Sequence, residues 1–477
     1  MVIMFEIHRF IQLRFLPKAI FSDVQLGKKN RNRAICVFTF LITSLWGFQG
    51  NANTLSLQQV QLLALDNDPF LEGSELRETA FKYESEGANS WDNPKIISTL
   101  QNIPVNHLSL GQEPMSQVKL GIQQALPRGN SATLSRDVFL AKASKQQVVR
   151  EARRAWLLQN VSMRWLTWYQ AHSAIELLNE EAQQLSQLLE TVESAYRSGA
   201  GNTRQQDIID IRIEILRLND TLMQQKQAKA EAFAQLSRYI DIPANWQNFV
   251  PAQFNLSRML ARVESLNQYP LMDILAHHPA VRLVAMDESI ETAKLALARE
   301  QTKPKWAFEA SYGYRQDASS GSSQADFVSL GVQVDLPLFG SKRQDANVSA
   351  AAARVSAVAT QRRLEIRRLS ALAEAAKSQL LYLNARRNQY RADLLRQGDY
   401  LTDATLTAYT NDNGAFSEVI RARISQLNTQ LDALNIDISL AGTTLELLYL
   451  YDPVRSKVKP QFTPSYPSIS LSEGAGQ

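Results

Sequence analysis

The sequence predicts a mainly α-helical chain that also contains β-hairpins and is built as an internal two-fold repeat. Three observations lead to this prediction: segments recur at one constant offset, long stretches lack glycine and proline, and short segments alternate apolar with polar residues. Of the 477 residues, 45% are apolar and 21% are charged, with only 19 glycines and 16 prolines. This composition excludes a disordered chain and a collagen-like chain.

The first 52 residues are predicted to be a leader that ends in a secretory signal peptide. A basic cluster at residues 28–33 precedes an uncharged, mainly apolar run from Ala34 to Phe48, and Gly50 and Ala52 supply the small residues that a signal peptidase requires. The run is short for a membrane-spanning helix, which needs about 20 residues. A permanent anchor is the alternative. The only cysteine, Cys36, lies inside this run, so the mature chain is expected to contain neither a disulfide nor a lipid-modified cysteine.

Prolines and glycines that recur at one offset mark the repeat. The shift that aligns Pro69 with Pro279 also aligns Pro94 with Pro304. It further aligns Val118, Leu120, Gly121, Leu126 and Pro127 with Val328, Leu330, Gly331, Leu336 and Pro337. Two copies of one supersecondary unit explain this pattern. The predicted parts are the leader and signal peptide (1–52), repeat 1 (53–250), repeat 2 (251–452) and a flexible C-terminal tail (453–477).

Each repeat is predicted to contain a long antiparallel helical hairpin. Neither glycine nor proline occurs from Asn130 to Ser198 or from Ser341 to Gln397. A helix as long as the first of these stretches would reach roughly 100 Å. Apolar residues recur at intervals of alternately four and three residues, which is the period of a left-handed coiled coil. The seam residues are Ala171, Ile175, Leu178, Ala182, Leu185, Leu189, Val192 and Tyr196, then Ile208, Ile211, Ile215, Leu218 and Leu222, and in repeat 2 Ile420, Ile424, Leu427, Leu431, Leu434 and Ile438.

Between the helices, a period of two replaces the helical period. Aromatic groups alternate with polar or small residues over residues 306–314, and aliphatic groups do so over residues 328–336. An apolar outer face and a polar inner face are typical of the strands of a transmembrane β-barrel. The side chains predicted to face the membrane are Trp306, Phe308, Tyr312, Tyr314, Val328, Leu330, Val332 and Val334. Repeat 1 is more weakly patterned, and its first strand is placed only within residues 95–110.

Four strands per chain cannot close a barrel. An open sheet edge cannot face lipid, because its backbone groups would lack hydrogen-bond partners. Three chains would supply 12 strands, an even number that leaves a water-filled lumen. The sequence therefore predicts an oligomer whose chains share one barrel in a lipid membrane.

Charge and motifs argue against nucleic-acid binding and against catalysis. The chain has 51 basic and 47 acidic residues, of which the leader holds seven basic and two acidic. The remaining 44 basic and 45 acidic residues nearly cancel, so the chain after the leader lacks the excess positive charge typical of nucleic-acid-binding proteins. The sequence has no phosphate-binding loop, dinucleotide fingerprint, zinc-protease motif or nucleophile elbow, and it predicts no enzyme. His277 and His278 are adjacent and have no nearby Cys or His, which makes a poor metal site. No cofactor is expected.

The order of helix, β-hairpin, long helix, tight turn and long return helix, present twice, resembles the TolC family of outer-membrane efflux and secretion channels. The resemblance covers roughly residues 55–452 and includes two local motifs, Ala64-Leu65-Asp66-Asn67-Asp68-Pro69 and Asp335-Leu336-Pro337-Leu338-Phe339. It implies a homotrimer whose β-barrel lies in the outer membrane and continues as an α-helical barrel through the periplasm. It also implies two partners, a periplasmic adaptor protein and an inner-membrane pump of the RND or ABC type.

The resemblance further implies functional residues at the two periplasmic turns. It assigns adaptor docking to Tyr196, Arg197, Gly199, Gly201, Tyr409, Gly414, Phe416 and Ser417. Glycines are expected where the chain reverses within a few residues and needs a positive φ. It assigns the pore gate to Asp207, Asp210, Glu418 and Arg421, and Arg421 stands where the family pattern has an acid. The alternatives are plain hairpin turns, and an ordinary solvated helix start at Asp207.

The predicted function is a passive outer-membrane channel subunit of a tripartite efflux or type I secretion system, opened by an adaptor. A periplasmic adaptor is the first alternative, since adaptors also use long helical hairpins, but they normally carry one hairpin flanked by small β-domains. A structural coiled-coil envelope protein is the second, and it is disfavoured because the helix breakers divide this chain into antiparallel segments. Drugs, metal ions and polypeptides all stay open as substrates.

Overall fold

The computed structural model describes residues 54–199, 203–241, 249–337, 341–411 and 413–453. Its helices are α1 Leu57–Asp66, α2 Pro69–Ala88, α3 Ser131–Ser198, α4 Gln205–Leu236, α5 Leu256–Leu266, α6 Leu271–Ala276, α7 Pro279–Glu300, α8 Ser341–Gln389, α9 Leu395–Thr410 and α10 Phe416–Tyr451. Its strands are β1 Thr54–Leu55, β2 Lys95–Gln101, β3 Gln117–Ala125, β4 Val250–Pro251, β5 Lys305–Tyr314 and β6 Phe327–Asp335. The predicted signal peptide, the tail after Pro453 and Gly201 lie outside these ranges.

The two predicted long helices are confirmed. α3 extends over 68 residues, and a π-helical turn at Tyr390–Leu394 joins α8 to α9 without a break in the chain. α3 packs against α4, and α9 packs against α10, so each long helix turns back on itself as a hairpin. Over the described ranges, no helix combines the length and the apolar character that crossing a membrane requires.

Local capping explains where the shorter helices begin. The Ser56 hydroxyl accepts a hydrogen bond from the Gln59 N–H at 3.2 Å, and the Gln59 side chain accepts one from the Ser56 N–H at 2.8 Å. This capping box satisfies donors that the first turn of α1 leaves free. At α2, Asp68 accepts from the Phe70 N–H at 3.3 Å and Pro69 occupies the first helical position, where no N–H is needed.

Four elements in the second half begin at the predicted offset from a counterpart of the same type in the first half. These pairs of first residues are Pro69 and Pro279, Lys95 and Lys305, Gln117 and Phe327, and Ser131 and Ser341. The common spacing supports the predicted repeat. It also places the first strand of repeat 1, which the sequence left open within residues 95–110, at Lys95–Gln101.

The four long strands form one antiparallel sheet in the order β2-β3-β5-β6. The two hairpins therefore lie side by side, and β2 and β6 form the two edges. A separate pair of short parallel strands, β1 and β4, joins the start of the described chain to the segment that precedes α5.

Two of the apolar clusters account for much of the helical packing. One lies where α3 meets α1, the end of α4 and the C-terminal half of α10, and it contains the fully buried Trp165 and Trp168. The Trp165 indole donates a hydrogen bond to the Leu55 carbonyl at 3.0 Å, which fixes β1 against the helices. The other follows the predicted coiled-coil seam through α3, α4 and α10, from Leu178 to Leu427. Trp165 and Trp168 of α3 thus pack between helices.

Candidate functional site

The sheet has one apolar and one polar face. Register places Leu120 opposite Tyr312, and Tyr312 opposite Val328, so these three side chains lie in one row. Because side chains alternate along a strand, the whole apolar set falls on the same face. Its members are Ile96, Leu100, Val118, Leu120, Ile122, Trp306, Phe308, Ala310, Tyr312, Tyr314, Val328, Leu330, Val332 and Val334.

This apolar face is uncovered in the single chain. Leu330 is 83% exposed, and seven of the eight residues predicted to face the membrane are exposed, Val334 being half-buried. Contiguous apolar patches of this extent are rare on the surface of a soluble monomer. The arrangement suits contact with hydrocarbon, while the membrane-facing role itself stays a prediction.

The opposite face carries polar groups that bond to one another. Lys119 and Glu309 form an ion pair at 3.2 Å, and the Gln123 amide donates to the Gln333 carbonyl oxygen at 3.0 Å. Gln123 and Gln333 are related by the offset of the repeat, so equivalent positions of the two halves meet on this face. A water-filled lumen is compatible with such a surface.

The turn of the first helical hairpin is built as the sequence predicted at Gly199. This residue ends α3 with φ +67°, and its N–H donates to the Tyr196 carbonyl at 3.3 Å. Such a left-handed residue after a helix strongly favours glycine. Tyr196 is exposed, and Arg197 is also exposed at the end of the helix.

The turn of the second helical hairpin departs from the prediction in two ways. Gly414 does not have a positive φ. Glycine is favoured at this position because an added Cβ would lie only 3.1 Å from the Ala408 Cβ, which is closer than ordinary van der Waals contact. Phe416, predicted to dock an adaptor, is 2% exposed and packs against Tyr409 at 5.1 Å between ring centroids. Because the Phe416 ring is buried, it is not available to a partner, and it stabilises the turn by packing inside it. Ser417 is exposed at the start of α10.

The two turns are bonded to each other. The Tyr409 hydroxyl lies 3.2 Å from the Thr203 hydroxyl, within hydrogen-bond distance. Thr203 belongs to the first turn and Tyr409 to the second, so one contact joins the tips of both hairpins. No local signal in the sequence indicated this pairing, since the two residues are 206 positions apart.

The four predicted gate residues do not form one cluster. Asp210 and Arg421 line a groove of about 350 Å³ between the first turns of α4 and α10, together with Ile213, Glu214, Arg217, Ser417, Ile420 and Ile424. Arg421 is exposed and forms no ion pair with any described residue of its own chain. Glu214, which sequence reasoning missed, pairs with Arg217 at 2.6 Å in the same groove. Its place one turn after Asp210 on the same helix was the available signal.

Asp207 and Glu418 lie outside this groove. The Asp207 carboxylate accepts a hydrogen bond from the Arg204 N–H at 2.8 Å, which is an ordinary helix-start contact and matches the alternative interpretation. Glu418 is exposed in the first turn of α10. Asp207 thus has a structural role whether or not it also faces a pore.

No metal-binding cluster of three or more His, Cys, Asp or Glu side chains is found within the described ranges. The ring of His277 bonds to the Asp273 carbonyl of its own short helix at 2.9 Å. His278 caps α7 and bonds to the carbonyl of Tyr449. Both histidines are engaged by the backbone.

Comparison with known proteins identifies the fold of the chain through solved structures and not through sequence. No family profile and no curated protein sequence matches the chain. Solved structures do: CusC is 14% identical with a TM-score of 0.67 over 85% of this chain and 95% of its own. VceC from Vibrio cholerae is 14% identical with a TM-score of 0.66 over 83% and 95%, and the Campylobacter jejuni CmeC outer membrane channel is 13% identical with a TM-score of 0.67 over 92% and 94%.

These similarities define the chain as having the fold of an outer-membrane channel. More narrowly, this is the fold of TolC-family channels, which the order of its helices and strands predicted.

Proposed function

We propose that this protein is the outer-membrane channel subunit of a tripartite export system, either an efflux or a type I secretion system. It would act as a passive homotrimeric conduit, placed in the outer membrane after signal-peptide cleavage and extended into the periplasm. A periplasmic adaptor would open it, and an inner-membrane pump of the RND or ABC type would supply the energy.

The observation that carries this proposal is the sheet. Its apolar face is uncovered in the single chain, its polar face is internally bonded, and both edge strands are open. In a shared barrel, the apolar face would contact lipid, the polar face would contact water, and the two edge strands would pair with neighbouring chains. The two alternatives, a periplasmic adaptor and a structural coiled-coil protein, give no reason for a sheet with these two faces.

Reconstitution into a planar lipid bilayer tests the proposal. The purified mature protein should insert from detergent and produce discrete ion-conducting steps, because three chains enclose a polar lumen. An unfolded sample of the same protein is the control. Failure of the folded protein to insert or to conduct would contradict the channel function.

The adaptor would bind at the exposed residues of the tips. Tyr196, Arg197 and Ser417 are accessible there, whereas Phe416 would act from within the turn. Since Thr203 and Tyr409 join the two tips, an adaptor that moved one hairpin would also move the other.

The gate would use Arg421 and acids near it. Asp210 and Glu214 line the same groove, and Arg421 has no acid partner among the described residues of its own chain. In a trimer, its guanidinium would pair with an acid across the narrow end of the pore, and crowded opposite charges would hold that end closed.

Arg421→Asp is therefore expected to raise the conductance of the closed channel and the sensitivity of cells to large antibiotics. The reversed charge would repel the acids that Arg421 holds. Arg212→Asp is the matched control, because Arg212 pairs with Glu193 on the same hairpin outside the groove. Unchanged conductance and antibiotic sensitivity in Arg421→Asp would refute this role.

A further inference from the structure

Two loops at the end of the sheet remote from the helical hairpins are joined to each other. We call residues 102–116, between β2 and β3, the first outer loop, and residues 315–326, between β5 and β6, the second outer loop. The Ser319 N–H donates to the Gly111 carbonyl at 3.0 Å, and the Arg315 guanidinium donates to the Pro114 carbonyl. Although the loops come from different repeats, these two hydrogen bonds link them.

Each outer loop is also ordered internally. In the first, the Ser116 hydroxyl donates to the Asn102 carbonyl at 2.6 Å and closes the loop at its base. In the second, the Ala318 N–H donates to the Ser322 carbonyl at 3.0 Å, and the Gln324 N–H donates to the Asp317 carboxylate at 3.1 Å. Two ordered loops that bond to each other make one unit.

Near the outer loops, the two faces of the central strand β5 differ in burial. Along β5, Ala307 and Glu309 on the polar face are half-buried, whereas Ser311 is only 6% exposed and Gly313 is buried beneath the Gln117 side chain. On β3, Gln117 of the same face is 9% exposed. The apolar side chains of β5 stay exposed along the whole strand. On β5, full burial is therefore confined to the face that would line the lumen and to the half of the strand nearest the outer loops, while β2 and β6 stay exposed on that face.

Arg315 is the side chain that ties the unit together. Its guanidinium donates to the Ala325 carbonyl at 3.0 Å, to the Gln324 side chain at 2.7 Å and to the Pro114 carbonyl of the other loop. It also lies 4.4 Å from the centre of the Phe327 ring, which belongs to the polar face. Because the guanidinium has a planar fork of donors, it can serve several acceptors at fixed angles, which a lysine ammonium cannot do.

We propose that the two outer loops form a cap that narrows the outer mouth of the channel, with Arg315 as the residue that holds it in place. This inference rests on the proposed channel function and adds a second constriction at the end opposite the adaptor. Passage through the outer mouth would then depend on opening of the cap as well as on the periplasmic gate.

Cysteine labelling from outside the cell tests the cap without involving the periplasmic gate. Gln333→Cys places a thiol on the polar face near the helical end of β6, so an externally added reagent must pass the outer mouth to reach it. The reagent is a polyethylene glycol maleimide too large for general porins, and the labelling rate in intact cells is measured. The parent protein without Gln333→Cys must stay unlabelled.

In this background, Arg315→Ala should raise the labelling rate on the order of tenfold, the shift expected when one or two net hydrogen bonds leave the closed state. Arg315→Lys should label nearly as fast, because it keeps the charge but loses the fork. Ser320→Ala is the matched control in the same loop, since its hydroxyl contacts only Ser322 within that loop, and it should label as slowly as the parent cysteine variant.

The outcomes separate the cap from the channel function. Equal labelling rates for the parent cysteine variant and Arg315→Ala, or slow labelling of Arg315→Lys, would overturn the cap. Labelling of the same cysteine in detergent-solubilised protein confirms that the thiol is reactive. If the protein forms no pores in planar bilayers, the proposed function itself fails. If it forms pores and the labelling rates match, only the cap fails.

Discussion

At the scale of single residues, Asp68 and His278 occupy corresponding positions of the two repeats and begin helices with different chemistry. Each precedes the proline that starts a helix, Pro69 in α2 and Pro279 in α7. Asp68 accepts the Phe70 N–H and pairs with Arg153 at 2.8 Å, whereas His278 uses its Nδ1 atom to accept the Ala280 N–H at 3.2 Å. A neutral imidazole can therefore do the capping work of a carboxylate.

His278 makes this helix start sensitive to acid. The side chain is 1% exposed, and burial lowers its pKa from 6.5 to about 4, although the hydrogen bond to the Tyr449 carbonyl raises it slightly. The unfolded chain then binds the proton more tightly than the folded chain. The stability that His278 contributes at neutral pH is lost as the pH falls from about 6.5 towards 4.

His278→Asn should remove this part of the pH dependence, because an asparagine oxygen can still cap the helix. The parent protein should lose about 3 kcal/mol more stability between neutral pH and about pH 4 than the variant. Thermal unfolding across this pH range measures the difference. His277→Asn, at an exposed position next in sequence, is the control and should behave like the parent. Parallel pH profiles for His278→Asn and the parent would contradict the assignment.

At the scale of elements, the helical hairpins depend on how each chain reversal is made. Gly199 ends α3 in a left-handed conformation, and a Cβ there would meet no described residue within 4 Å, while Gly414 has an ordinary φ and close neighbours. Glycine is needed for backbone conformation in the first turn and for close approach in the second.

Gly199→Ala should destabilise the protein by about 1 kcal/mol, because a Cβ opposes the left-handed conformation while meeting none of the described residues. Gly199→Asn should cost less, since asparagine tolerates that conformation better. Thermal unfolding of both variants is the measurement. A larger loss for asparagine than for alanine would mean that the turn is limited by space and not by backbone conformation.

The sheet presents neighbouring residues of one strand to opposite surroundings. Leu330 lies on the apolar face of β6 and Ser329 on the polar face. If the apolar face meets lipid, an arginine there must be taken out of water, whereas an arginine on the polar face keeps its hydration.

Leu330→Arg should therefore destabilise insertion into lipid vesicles by roughly 2–4 kcal/mol, and Ser329→Arg should cost about 1 kcal/mol or less. The folding equilibrium into vesicles, followed by tryptophan fluorescence, gives both values. Ser329→Arg is the matched control, one position away. Equal costs at the two positions would argue against a lipid-facing sheet.

At the scale of the whole molecule, the four-stranded sheet of the single chain is open at both edges. β2 and β6 each have one unpaired edge in the four-stranded sheet. If the sheet lies in lipid, as proposed above, these unpaired backbone groups require partners, and copies of the same chain can supply them.

The mature protein in detergent should therefore have the mass of three chains by native mass spectrometry. Three sheets of four strands close a barrel wide enough for an aqueous lumen. The mass of the chain in denaturant serves as the reference for one copy. A stable single-chain mass in detergent, with the sheet intact, would contradict the assembly.

The sequence by itself determined the features that depend on neighbours along the chain. The coiled-coil period predicted the long helices and their seams, and alternation predicted which strand side chains share a face, because both periods follow from backbone geometry. The left-handed Gly199 could be predicted for the same reason.

Only the tertiary structure decided what distant segments do together. It placed the two β-hairpins side by side, so that Gln123 meets Gln333, and it gathered Asp210 and Arg421 into one groove while leaving Asp207 as a helix cap. It buried Phe416 and joined the two outer loops to each other. These outcomes depend on packing between residues far apart in the chain, which no local period encodes.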